Sequence, residues 1–277
     1  MNYKEQTMTL FWIYDLPNGL MCCLIVGFFT GISLLGLLAC RRWFALVPES
    51  ERSSHNEMVS YFLAAIGTIY GITIGLLAAG AWSNYSSVED AAKAEAASLA
   101  ALYRDVSSLS LPHRVDLQQA LKEHTRFEID KQWPANQQGL VLHNTALTAF
   151  QTELLQVDLK SELDKILFSE TFHQFNTYVE HRRIRLSNVT TGLPPTLWAV
   201  LLLGAALTIA VILFFQIRDF RLHAAMTVIL SGLIGLLIFI IVVMDWPYRG
   251  EFSVSPEEMQ NVLDNYMNNP AMTPVRE

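Results

Sequence analysis

Charge is scarce in this sequence. Of 277 residues only 16% are Asp, Glu, Lys or Arg, against about a quarter in an ordinary soluble domain. The shortage is concentrated. Leu16 to Cys40 carries no charge, nor does Met58 to Val88. Arg185 and Arg218 bracket a third uncharged run, and Arg221 and Asp245 a fourth. No Asp, Glu, Lys or Arg lies inside any of them, which argues against proton relays and ion-coupled transport. Cysteine is almost missing. Cys22, Cys23 and Cys40 all fall in the first run, so there is neither a disulfide framework nor a zinc spacing. A Gly-rich phosphate loop and a Gly-x-Ser-x-Gly nucleophile motif are both absent, and so is any repeat of fixed period. A net charge of −7 without a basic, aromatic-studded stripe argues against nucleic acid as a partner.

What is present is apolar length. Hydrophobic residues make up 52% of the chain, and each uncharged run holds a core near the roughly 20 residues that span hydrocarbon. The runs predict transmembrane helices over 20–40, 59–82, 194–216 and 222–244. The first is not read as a signal peptide: no strongly basic segment precedes it, and Arg41-Arg42 follow it directly. Buried helices of one large soluble core would normally carry a polar stripe. The expected fold is all-α, a polytopic membrane protein with four spans. An extramembrane helical bundle over 83–191 is inserted between the second and third. A segment 1–19 precedes the spans, and a tail 245–277 carries a short amphipathic helix.

The second span runs into the bundle without a break. Leu99, Leu102, Val106 and Leu109 recur at helical spacing, and alanines from Ala91 to Ala101 favour a helix. One helix is therefore expected to continue past the bilayer and stop near Leu111-Pro112. Further helices are expected over 113–131, ending before Trp133-Pro134, over 140–157, and over 158–188. In the last, Leu159, Leu163, Ile166, Leu167, Phe175 and Val179 face inward. In the tail, Ser255-Pro-Glu-Glu258 reads as a capped helix start, followed by an apolar stripe of Met259, Val262, Leu263 and Tyr266.

Catalytic and metal chemistry are hard to find. Glu170 and His173 have the Glu-x-x-His spacing of carboxylate-bridged metal sites, but such sites need a second copy, and a solvated helix face is the simpler reading. The five histidines of the middle region lie mostly beside charges, which predicts surface positions. No metal and no cofactor is expected, and no enzymatic activity. The second span is unusually small-sided: Ala64, Ala65, Gly67, Thr68, Gly71, Thr73, Gly75, Ala78 and Ala79. Small residues permit tight packing inside one subunit. They also suit a passive pathway that gates by dewetting. On spacing alone, packing is the stronger of the two readings.

Several short stretches are similar to the bestrophin-like membrane proteins of bacteria and plants. They are Gly67-Thr-Ile-Tyr70, Trp82-Ser-Asn-Tyr85, Glu95-Ala96 with Leu102-Tyr103-Arg104, and Trp133-Pro134. Arg182-Arg183-Ile-Arg185-Leu186, Leu193-Pro194, Trp198 and Asp245-Trp-Pro-Tyr-Arg-Gly250 complete them in order. Trp82-Ser-Asn-Tyr85 also resembles the Trp-Asn-Gln-Tyr that follows the pore helix of true bestrophins, and Pro247-Tyr248 with Gly250 their Pro-Phe-Gly. The resemblance implies a homo-oligomeric, usually pentameric, channel for small inorganic anions, with the second helix lining the pore and running on into the cytosol. It places the three neck positions at Ile72, Thr68 and Ala64, of which only Ile72 is bulky and apolar. Thr68 and Ala64 imply a wider, wetter neck. No acidic run follows Gly250, so the family's calcium clasp is not implied here.

Ala64, Thr68, Ile72, Gly75 and Ala79 are therefore the candidate pore-lining residues. The expected partners are further copies of the chain, the lipid bilayer and small anions, in the cell (inner) membrane. Arg41, Arg42, Arg52, Arg218 and Arg221 on one side outnumber Lys4 and Arg249 on the other, favouring an outside bundle. Counting Arg182, Arg183 and Arg185 removes the bias, and the resemblance puts the bundle in the cytosol. The alternative function is a non-conducting signalling or scaffold protein that senses through its bundle.

Overall fold

A computed structural model describes residues 11–44, 49–110 and 113–269. The expectations for residues 1–10, for a helix stop at Leu111-Pro112 and for residues 270–277 lie outside the described residues. The described chain is all-helical, with no strand. Four helices are long and apolar enough to cross a membrane: α1 (Asn18–Phe44), α2 (Arg52–Ser107), α7 (Pro195–Leu213) and α8 (Phe220–Asp245). Between α2 and α7 come α3 (His113–Phe127), a π turn (Glu128–Gln132), α4 (Trp133–Gln137), α5 (Ala146–Leu154) and α6 (Glu162–Ser187). After α8 come α9 (Glu257–Val262) and a second π turn (Leu263–Met267). The chain divides into two compact units, residues 1–85 with 192–246, and residues 86–191 with 247–277.

In the first unit, Tyr70, Ile74 and Ala81 of α2 pack with Leu201, Ala205 and Ile209 of α7 and Ile234, Ile238 and Ile241 of α8. Glycines set the closest approaches. A Cβ on Gly204 would lie 2.4 Å from the Tyr70 ring, and one on Gly235 would lie 3.0 Å from the Val26 backbone. The Tyr70 hydroxyl donates to the Leu201 carbonyl at 3.2 Å. At one end of the unit the two oxygens of Asp245 accept from the Leu193 N–H at 2.5 Å and Trp198 Nε1 at 3.2 Å. At the other, Asn56 closes a two-way bond with the Gln216 backbone.

The second unit buries Leu99, Leu102 and Val106 of α2 against Leu117 and Leu121 of α3, Phe150 and Leu154 of α5, and Phe175 and Tyr178 of α6. Several expectations are corrected here. The helix expected to end before Trp133-Pro134 runs on through them. Pro134 lacks an N–H, and its ring would crowd the carbonyl one α-turn back. The wider π turn accommodates this, with the Trp133 N–H bonding to the Glu128 carbonyl five residues earlier. The helix expected over 140–157 spans only Ala146–Leu154. Leu159, Leu163 and Ile166 are exposed rather than inward. Leu159 precedes α6, which starts at a Ser161–Asp164 capping box. Ile166 sits roughly 140° around that helix from the buried face of Thr171, Phe175 and Tyr178.

In the tail Ser255 does not cap: the helix begins at Glu257 after Pro256 and has no side-chain cap. Met259, Val262 and Leu263 are buried, yet Tyr266 is exposed and Met267 is buried in its place. The second π turn, closed by the Asn268 N–H on the Leu263 carbonyl at 2.9 Å, moves the inward position one residue along.

Candidate functional site

Ala64, Thr68, Ile72, Gly75 and Ala79 share one side of α2, opposite Tyr70, Ile74 and Ala81, and all five are exposed within the subunit. Ile72 is 61% exposed. A Cβ on Gly67, Gly71, Gly75 or Gly80 would meet nothing within 4 Å. These four glycines of α2 are thus not required by packing inside this subunit, unlike Gly204 and Gly235. The Thr68 hydroxyl donates to the Ala64 carbonyl at 2.7 Å, which satisfies its proton and leaves its lone pairs outward.

The second unit holds a polar centre that reading the residues one by one did not find. Arg185 is fully buried. Its Nε donates to Glu95 Oε2. Its Nη2 donates to Glu95 Oε1 at 3.2 Å and to Glu128 Oε2 at 2.5 Å. Its guanidinium carbon sits 4.5 Å from the centroid of the Trp133 ring. Arg182 closes the other side, its Nε and Nη2 donating to Glu128 Oε1 at 2.9 and 2.7 Å. Every oxygen of the two carboxyl groups is therefore engaged by a guanidinium, the arrangement a buried charge requires.

Burial alone would raise the Glu128 carboxyl, but the Arg185 and Arg182 guanidinium groups hold it below the usual carboxylate range. Burial works against the Arg185 charge, and Glu95 and Glu128 more than offset it. The centre reaches further along the chain. Trp133 Nε1 donates to the Val254 carbonyl at 2.9 Å. The Trp133 and Tyr248 rings meet edge to face, and burial pushes the Tyr248 hydroxyl up to about 12.

His124 corrects the expectation of surface histidines: it is fully buried. It stands one turn before Glu128, the first residue of the π turn, and its Nε2 is 2.6 Å from the Tyr178 hydroxyl. His113 and His181 are half-buried, bonded to Glu153 and to the Ala94 carbonyl. Glu170 and His173 are both exposed. Among the described residues no three His, Cys, Asp or Glu are grouped to hold a metal. A signal for the polar centre did exist. His124 and Glu128 stand four apart and Arg182 and Arg185 three apart, each pair on one helical face.

Four of the stretches that resemble a known family meet in this centre, supplying Glu95, Trp133, Arg182, Arg185 and Tyr248. The sequence model of the bestrophin-like domain matches residues 27–259. The chain belongs to the bestrophin-like family. No curated protein and no solved structure matches it. Membership relates this bestrophin-like protein to a family of ion channels and, with its four long apolar helices, makes it a membrane protein.

Proposed function

We propose that this bestrophin-like protein is a passive, homo-oligomeric channel for small inorganic anions, with α2 lining the pore. The carrying observation is the side of α2 that its own subunit leaves bare. It is uncharged, carries Ala64, Thr68, Gly75 and Ala79 beside the larger Tyr61, Ile72 and Trp82, and lies opposite the face packed on α7 and α8. The exposed parts of α1, α7 and α8, and the flank of α2 at Ile69 and Leu76, present large apolar residues such as Phe28, Leu203 and Ile229, which suit lipid. Several copies joined around an axis, five by family resemblance, would bring the bare sides together. Ile72 would then form the narrowest apolar ring, where ions lose hydration without gaining ligands. Thr68 and Ala64 would leave the neighbouring turns wider. In this reading the protein sits in the cell membrane with its bundle in the cytoplasm.

Anion flux into proteoliposomes tests the reading. Ile72→Ala should raise flux severalfold by widening and wetting the ring, Ile72→Trp should abolish it, and Thr68→Ala should change it little. Ile72 is not buried in its own subunit, so none of these changes should unfold the monomer. Flux equal to that of empty liposomes in wild type and Ile72→Ala alike overturns the proposal.

A further inference from the structure

His124 is held in one protonation state by bonds that cannot rearrange independently. The Asn144 side-chain oxygen accepts from the Ala146 N–H at 2.8 Å, which fixes the orientation of that amide. Its nitrogen therefore donates to His124 Nδ1, at 2.8 Å. Nδ1 is the acceptor, so Nε2 carries the ring proton and donates to the Tyr178 hydroxyl at 2.6 Å. The residue before α5, Thr145, makes no side-chain cap bond, so the Asn144 oxygen serves the first turn of α5 instead. The preceding loop is held by a second hook: Gln132 Oε1 accepts from the Leu142 N–H at 3.0 Å.

A second proton on the imidazole must go to Nδ1. Two donors, the new N–H and the Asn144 amide nitrogen, would then face each other at hydrogen-bond distance. Turning the amide over repairs the contact with His124 but sets its nitrogen against the Ala146 N–H. No orientation of Asn144 serves both partners once His124 is charged. We propose that His124 and Asn144 form an acid-operated latch, in which proton uptake by His124 releases Asn144 and frees the 139–145 loop and the first turn of α5.

The surroundings set the direction. From the π turn that continues α3, Glu128 Oε1 lies 4.0 Å from Nε2 and favours the charged ring. From α6, Arg182 and Arg185 oppose it, and Tyr178 occupies Nε2. Glu95 on α2 faces this group through Arg185. Glu128 is already committed to both arginines, and burial dominates, lowering His124 from 6.5 to about 4. Once the latch opens, water restores the ordinary value. The closed form is therefore favoured above about pH 6.5 and loses ground as pH falls towards 4. Released, the loop carries Leu140, Val141 and Leu142, all exposed apolar residues.

Hydrogen–deuterium exchange on the full-length protein in detergent tests the latch, with rates corrected for the intrinsic effect of pH. Between about pH 7.5 and pH 5, opening of the 139–150 segment should rise roughly thirty-fold, following the two His124 values. Peptides from α6 should stay protected. His124→Gln should remove the pH dependence. Asn144→Asp supplies a carboxylate that accepts from both the Ala146 N–H and a charged His124, and should suppress the acid opening while keeping the fold. A segment equally protected at both pH values overturns the latch. So does a rise shared by the whole bundle, or one that survives in His124→Gln or in Asn144→Asp.

Discussion

Removing the Arg185 guanidinium leaves two buried carboxyl groups around the space it filled. Breaking a buried ion pair by deleting one partner costs about 3–5 kcal/mol, so Arg185→Ala should lower the thermal unfolding midpoint sharply in detergent. Arg185→Lys should restore little. A single ammonium cannot fork between Glu95 and Glu128 and lie flat on Trp133 at once. Glu170→Ala, on an exposed face, should stay within about 0.5 kcal/mol of wild type. These roles were hard to read from one sequence for a definite reason. A Glu or Arg on an amphipathic helix has solvent as its default. What moves Glu95 and Glu128 indoors is a partner 90 and 57 residues away, a distance over which spacing carries no information. The run of small residues in α2 was the opposite case. Smallness is written in the residues themselves, and the structure adds which side of the helix it lies on.

At the scale of elements, hydropathy and charge located the four long apolar helices because lipid-length runs are a strong, local signal. The interior of the bundle was less legible, since two π turns shift the register that a 3.6-residue period assumes. That shift is why Tyr266 lies outside and Met267 inside, and why Trp133-Pro134 continues a helix instead of ending it. The glycines make a prediction at this scale. Gly204→Ala drives a methyl into the Tyr70 ring and should cost about 1–3 kcal/mol, the usual penalty for overpacking. Gly75→Ala meets open space and should leave the isolated subunit as stable as before. Thermal unfolding of the two variants side by side checks the contrast, and equal destabilisation would show that the bare side of α2 is packed within the subunit after all.

For the whole molecule, the proposed assembly makes a chemical prediction. In a background with Cys22, Cys23 and Cys40 changed to Ser, Ala79→Cys should form disulfide-linked species in native membranes under mild oxidation, because like residues meet near a common axis. Leu203→Cys, exposed on α7, should not. Monomer alone from both variants, read on non-reducing gels, removes the support for α2 as the shared helix.

The second unit is discontinuous in chain order, and this bears on how the protein is made. Residues 86–191 leave the ribosome first, yet Met259, Val262, Leu263 and Met267 belong to the same core, and Val254 supplies the carbonyl that Trp133 requires. At about 5–20 residues per second, those closing pieces follow Thr191 after several seconds, with α7 and α8 synthesised in between. Throughout that interval the nascent bundle has an open apolar flank. A nascent chain arrested at Asp245 should therefore recruit a holding chaperone, whereas one that has emerged past Met267 should let it go.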